Sequence, residues 1–170
     1  MNDFEITIRM TTPMLANSLR PEDGDSAMDQ FFRNRDGRVT LRPQQVYSML
    51  VAAQNLAPRD MPQVSAISLV GCDFGLELKT SIPSSRYERE YYCGDEPRIR
   101  VHESFDAGTE ISFRISLMAR CHADELQDLL EIAGRYVGLS PYGHKNGYGR
   151  FDVVSVKASA DGDVFIPGEK

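Results

Sequence analysis

The chain has no tryptophan and only three cysteines, Cys72, Cys93 and Cys121, in 170 residues. They are odd in number, far apart and without a CxxC pair, which argues against a disulfide framework or structural zinc and points to a reducing cytoplasm. No apolar run approaches the roughly 18 residues that span a bilayer, so no membrane segment is expected. The opening MNDFEITIRM is acidic and alternating, unlike a signal or transit peptide. A basic excess is missing too: the formal net charge is −6. Non-specific nucleic-acid affinity comes mainly from released phosphate counterions, so the surface as a whole is not a phosphate-binding one. There is no G-x-S-x-G, no Walker A motif, and no G-x-G-x-x-G opening a helix. His102, His122 and His144 have neither HxxxH nor HxH spacing. No metal and no cofactor are therefore expected. Cys121 and His122 stand at a helix start without a third orienting group, and read as structural.

What is present suits an ordinary globular chain, 41% hydrophobic and 26% charged, read as a single domain over 1–170. Its charge is uneven. Asp3, Glu5, Glu22, Asp23, Asp25 and Asp29 face only Arg9 and Arg20 up to residue 29, whereas Arg33, Arg35, Arg38 and Arg42 face only Asp36. Between Ile132 and Phe151 there is no acid, but Arg135, Lys145 and Arg150 are present.

Phe4, Ile6, Ile8 and Met10 alternate with polar residues and predict a half-buried strand. Residues 12–37 lose periodicity and read as a long irregular insertion or flexible arm, with a short helical turn at 27–32. RVTL (38–41) reads as a brief strand. Pro43 suits a first helical position, and Val46, Met49, Leu50 and Ala53 give a helical stripe. Residues 64–70 and 74–82 read as an extra hairpin, and residues 83–95 as polar, tyrosine-rich chain without regular structure. Arg98–His102 is a strand, DAG (106–108) a turn, and Glu110–Met118 the clearest strand. A second helix over 123–136 carries Leu126, Leu129, Leu130 and Ala133, with Asp124 and Glu125 at its positive end. A strand follows over 149–157. The order implies an α+β, ferredoxin-like split βαβ fold: an antiparallel sheet with both helices on one face.

In that topology the first and third core strands lie side by side, placing Glu5, Thr7 and Arg9 beside Ser112, Arg114 and Ser116 on the open face. An RNA-recognition motif needs aromatics there, and none is present; Arg9 and Arg114 remain candidates for phosphate. RYEREYY (86–92) mixes arginines with glutamates, which argues against a phosphate patch, while Tyr87, Tyr91 and Tyr92 suit a protein or base-stacking contact. The strongest candidate is YGHKNGYGR (142–150). Glycines let backbone N–H groups approach an anion, His144, Lys145 and Arg150 can bind phosphate, and Tyr142 or Tyr148 can stack on a base. A tight helix-to-strand connection explains Gly138 equally well, as the residue after the helix, but not Gly143, Gly147 and Gly149 together.

The helix end LLEIAGRYVGL followed by SPYGHKNGYGRFDVV resembles the C-terminal glycine-rich signature of the RAMP superfamily, the ferredoxin-like RNA-binding proteins of CRISPR effector complexes. The TTPMLANS after the first strand resembles the start of such domains. More narrowly, AGRYVGL…GYGRFDV is similar to small single-domain phage and prophage proteins. The resemblance implies a nucleic-acid-facing loop carrying Gly138, Gly143, His144, Lys145, Asn146, Gly147, Tyr148, Gly149 and Arg150. Some members are metal-independent ribonucleases with a histidine base; His144 is the candidate here, although their usual histidine lies near the first helix and this chain has none before residue 102.

The sequence therefore leads to a non-enzymatic binder of single-stranded nucleic acid, RNA favoured, in the cytoplasm. Its contacts would come from the glycine-rich loop, Arg33, Arg35, Arg38, Arg9 and Arg114, with self-association or a protein complex adding affinity. Two other readings stay open: a phage-encoded factor docking on a host defence or replication complex through Tyr87, Tyr91 and Tyr92, and a ribonuclease using His144.

Overall fold

The structure is a computed structural model that describes residues 2–16, 28–58, 76–77, 83, 85–117, 121–140 and 146–159. In chain order its elements are β1 (Asn2–Met10), β2 (Met14–Leu15), β3 (Thr40–Leu41), α1 (Pro43–Leu56), β4 (Leu76–Glu77), β5 (Ser85–Cys93), β6 (Glu96–Phe105), β7 (Glu110–Leu117), α2 (Ala123–Ile132) and β8 (Phe151–Ala158).

β1 is the central strand, antiparallel to β7 on one side and to β8 on the other. The alternating residues of β1 and β7 drive this arrangement. Phe4, Ile6, Ile8 and Met10 turn inward beside Ile111, Phe113, Ile115 and Leu117, and all are buried. β4 lies beside β7. The sequence of strands β8, β1, β7 and β4 is thus the split-βαβ order, with first and third core strands in the middle. At Thr7 and Ile8 the β1–β8 register slips by one residue: Thr7 faces Ser155 and Ile8 faces Val153. Val154 is the extra residue and is turned outward, as a bulge requires.

Both helices cover one face of this sheet. Val46, Met49, Leu50 and Ala53 of α1 share one core with Leu126, Leu129 and Leu130 of α2 and the inward residues of β1 and β7. α2 starts where Glu125 accepts the backbone N–H of His122 at 2.9 Å. It ends in a wider π-type turn over Ala133–Val137, closed by the N–H of Gly138 donating to the carbonyl of Ala133 at 2.8 Å. Gly138, at φ +85°, then stops the helix.

A second sheet is built from β2, β6 and β5, with β6 in the middle. Here the structure departs from the pattern read in the sequence. Residues 85–93 form a nine-residue strand, fully paired with β6 from Ser85↔Ser104 to Cys93↔Glu96. Charged and aromatic residues stand on both of its faces, so no apolar alternation marks it. Residues 28–32 are extended, not helical: the N–H of Asp29 donates to Val101 and its carbonyl accepts from Glu103. The chain then turns at 34–37, where the Asn34 side chain accepts the N–H groups of Asp36 and Arg38. β3 follows and pairs with β4. Of the 12–37 insertion, residues 17–27 lie outside the described residues; of the 64–82 hairpin, only Leu76–Glu77 is described.

The turn after α2 sits on β8 without room to spare. A Cβ at Gly134 would come within 2.1 Å of the Phe151 carbonyl oxygen. Gly134→Ala is expected to destabilise the fold by roughly 1–3 kcal/mol or more, because backbone rather than a flexible side chain must move. A lowered urea midpoint with an unchanged slope would show it; a wild-type midpoint would contradict the packing.

Candidate nucleic-acid interface

The glycine-rich segment is fastened to the chain leaving β1. The N–H of Gly149 donates to Pro13, the N–H of Thr11 to Arg150, and the N–H of Leu139 to Gly149, at 2.8, 2.9 and 2.8 Å. The Thr12 hydroxyl donates to the Gly147 carbonyl at 2.7 Å and accepts the Arg150 N–H at 2.9 Å. Gly149 is forced by this knot: at φ +71°, a Cβ there would sit 2.4 Å from the Ser140 nitrogen. The two sequence pieces that carry the RAMP resemblance, around TTP and GYGR, are therefore bonded to each other. The close backbone approach that glycine allows is used, at Gly149, by the protein's own chain. Asn146 is exposed, and the Arg150 guanidinium donates to the Arg135 carbonyl. Tyr142, Gly143, His144 and Lys145 lie outside the described residues.

Tyr148 leaves this knot toward the β5–β6 ribbon. Its ring meets that of Tyr87 edge-on at 5.5 Å, with the two hydroxyls 3.2 Å apart. That hydrogen bond, and then burial, push the Tyr148 phenol pKa upward. The ribbon sorts its charges by strand period. One face carries Tyr87, Arg89 and Tyr91 of β5 opposite His102, Arg100 and Arg98 of β6. The other carries Arg86, Glu88, Glu90 and Tyr92 opposite Glu103, Val101, Ile99 and Pro97. RYEREYY thus has mixed charge along the chain but not in space. The Arg89 guanidinium lies 5.5 Å from the Tyr91 ring centre, and Arg98 is 54% exposed. Arg89, Arg98 and Arg100 were not singled out by the sequence reading; the paired alternation REREYYC…PRIRVHE is the signal that marks them.

The other expected contacts are held in ion pairs elsewhere. Arg9 meets Glu110 at 2.6 Å and Arg114 meets Asp3 at 3.4 Å on the open face of the central sheet, where Thr7 and Ser112 also share a hydrogen bond. Arg33 grips Glu103 with two parallel bonds of 2.7 and 3.0 Å, bracing residues 31–33 against β6. Arg35 and Arg38 flank the 34–37 turn. The interface places Tyr87, Tyr91 and Tyr148 together with arginines of the ribbon; Tyr92 is on the opposite face. Among the described residues no three His, Cys, Asp or Glu side chains could hold a metal ion, and no helix is long and apolar enough to cross a membrane.

Under the ribbon's basic face lies a buried polar network. His102 and Asp29 are both 0% exposed. Asp29 accepts two bonds from Arg100, at 2.5 and 3.0 Å. Nδ1 of His102 faces the Ala16 carbonyl at 2.7 Å and Asp29 at 3.0 Å, so it carries the proton, while Nε2 faces the Arg89 Nε–H at 3.4 Å and accepts. Burial lowers the His102 pKa; the Ala16 carbonyl and Asp29 oppose this, and Arg89 and Arg100 add to it. With the folded pKa below that of the unfolded chain, the unfolded state binds the proton first as pH falls. The stability from neutral His102 is present above about pH 6.5 and drains away below it. A His102→Asn variant should be less stable than wild type at pH 7.5 and close part of that gap by pH 5 in urea titrations. A gap constant across this range would contradict the neutral assignment.

No protein-family model matches the chain, and no curated protein matches its sequence. Among solved structures, a chain of the cryo-EM structure of the Type III-B Cmr-beta bound to cognate target RNA is similar, with TM-score 0.58 and 13% sequence identity. The match covers 92% of this chain and 60% of that one, so this chain spans less than two thirds of its neighbour's length. At such identity the likeness concerns architecture. The fold is α+β and ferredoxin-like, of the RAMP type.

Proposed function

We propose that this protein binds single-stranded nucleic acid, RNA favoured, without catalysis and as part of a larger assembly. The carrying observation is the sorting of charge on the β5–β6 ribbon, which sets Arg89, Arg98 and Arg100 among Tyr87, Tyr91 and, at its edge, Tyr148. Cations that track a backbone beside rings that accept bases are what sequence-tolerant single-strand binding needs. Arg150, Lys145 and the neighbouring glycine segment extend this surface. The similar fold found in an RNA-bound Cmr complex supports the same reading. A net charge of −6 and one small basic face give few phosphate contacts, so useful affinity calls for self-association or partner proteins. In a phage setting it would act in the host-cell cytoplasm.

A second reading is favoured by the ribbon's other face. Tyr92 and Ile99 are 69% and 67% exposed there, among Glu88 and Glu90, which suits a protein contact. It is compatible with a host-complex factor that uses no nucleic acid.

Fluorescence anisotropy with labelled single-stranded RNA and DNA over a salt series separates the two. Arg89→Ala with Arg98→Ala should lower the salt slope by about 2, near one unit per lost phosphate contact, and weaken all sequences alike. Tyr91→Ala should cost roughly 1–3 kcal/mol as a lost stacking platform. Glu88→Ala with Glu90→Ala should leave the slope unchanged. Absence of binding at about 50 mM salt would overturn the proposal and promote the protein-contact reading. Labelled RNA shortened by the wild-type protein would overturn the non-catalytic part.

A further inference from the structure

A cleft of about 450 Å³ opens between the first half of α1 and residues 137–140, away from the β5–β6 ribbon. Its floor is apolar, formed by Met49, Val137 and Leu139, and its rim is polar, formed by Arg42, Gln44 and Ser48. The volume falls inside the range of about 300–1,000 Å³ in which organic ligands are bound. No acid lines it. The adjoining helix, PQQVYSMLVAAQNL, contains no charged residue, so nothing on α1 offsets Arg42.

Arg42 is set up to receive an anion. Its guanidinium lies 3.4 Å over the centre of the Phe32 ring, which uses the flat face of the group. Stacking leaves the in-plane N–H edge, the part that bonds phosphate or carboxylate in pairs, and fixes the plane in which it is offered. Gln44 and Ser48, one helical turn apart, share a flank of α1 and add neutral hydrogen-bonding groups. Gln45 donates its amide to the Leu139 carbonyl, tying the two walls together. One cationic fork, neutral polar groups and an apolar floor match a ligand with an anionic end, hydroxyls and a flat ring.

We propose that this cleft takes a nucleoside monophosphate unit, either as a free nucleotide or as the phosphorylated end of a strand. The choice of phosphate and nucleobase over other aromatic anions rests on the nucleic-acid reading; the cleft's taste for an anion with an apolar body does not.

Calorimetric titration of the whole protein with AMP, CMP, GMP and UMP should give binding at least tenfold tighter than inorganic phosphate, the nucleosides or benzoate. Arg42→Gln should weaken it at least tenfold. Ser48→Trp should abolish it by filling the cleft, with thermal melting unchanged, since Ser48 is exposed on the helix. One RNA sequence made with a 5′-phosphate, a 3′-phosphate or neither identifies the source. A gain for one phosphorylated end, lost in Arg42→Gln, assigns a strand end; equal strands with tight mononucleotides assign a free nucleotide. Unphosphorylated strands should bind both variants as they bind wild type. If they bind no form of the protein, the ribbon reading fails while the mononucleotide titration still decides the cleft. Mononucleotides no better than phosphate or benzoate, or binding unaltered in both variants, would overturn the proposal.

Discussion

The crossing of two backbones at Gly149 is the constraint on which the candidate interface depends. Chain leaving the central strand β1 and chain entering β8 exchange bonds through Thr11, Thr12, Pro13, Gly147, Gly149 and Arg150. The space at this crossing is too small for any side chain on residue 149, since Ser140 backbone occupies it. β1 and β8 are neighbours in the sheet, so the knot closes the end of a ladder that is already paired. Its consequence reaches further than stability. Tyr148 sits between two positive-φ glycines, Gly147 and Gly149, and the knot directs its ring to Tyr87 on the ribbon. Glycine here gives its freedom to the protein's own packing, and a tyrosine is displayed as the result.

The ribbon shows how an acidic chain acquires a basic surface without a basic composition. Strand period, not sequence proximity, decides which charges meet. Glu88 and Glu90 are immediate neighbours of Arg89 in the chain yet lie on the opposite face, while Arg100 and Arg98 arrive from β6 on the same face. The buried network beneath anchors this face. Asp29 is fully buried and held by Arg100 and the neutral His102 ring, and the same residue pairs by its backbone with Val101 and Glu103. A buried carboxylate without such partners would be costly; with them, it fixes residues 28–33 and the ribbon in one arrangement.

Elements with an apolar face were readable from residues alone. Phe4–Met10 and Ile111–Leu117 alternate cleanly, and both helices carry stripes at the right spacing; the structure places all four in one core. β5 was not readable that way, because neither of its faces is buried along its length and its residues are chosen for charge and aromatic display. The same property hid Arg89, Arg98 and Arg100: an alternation of arginine with glutamate looks neutral until the strand is recognised. In the loop, the glycines were visible but their purpose was not. A positive φ or a close approach follows from glycine, whereas the identity of the approaching group, here Ser140 and Pro13, is a long-range fact. The Arg33–Glu103 pair, 70 residues apart in the chain, is hidden for the same reason.

Ion pairing decides which cations can contribute to phosphate binding. Replacing an internal carboxylate by a phosphate exchanges one charge-assisted bond for another, so the gain is small where a pair is well made. Arg33, with two parallel bonds to a largely buried Glu103, is such a case. On the open face of the central sheet, Arg9, Arg114 and Lys157 share their surroundings with Asp3, Glu5, Glu110 and Asp152, and an approaching strand meets more negative than positive charge. The ribbon differs. Arg100 already balances the buried Asp29, Arg89 leans on a neutral imidazole and a tyrosine ring, and Arg98 meets its exposed neighbour Glu96 at a distance of 3.7 Å, where water screens the pair. A phosphate reaching that face therefore finds cations whose charge is not already spent on an equal partner, next to rings that hold a base. That combination outweighs the acidic average of the chain, because counterion release depends on the few charges at the contact and not on the total.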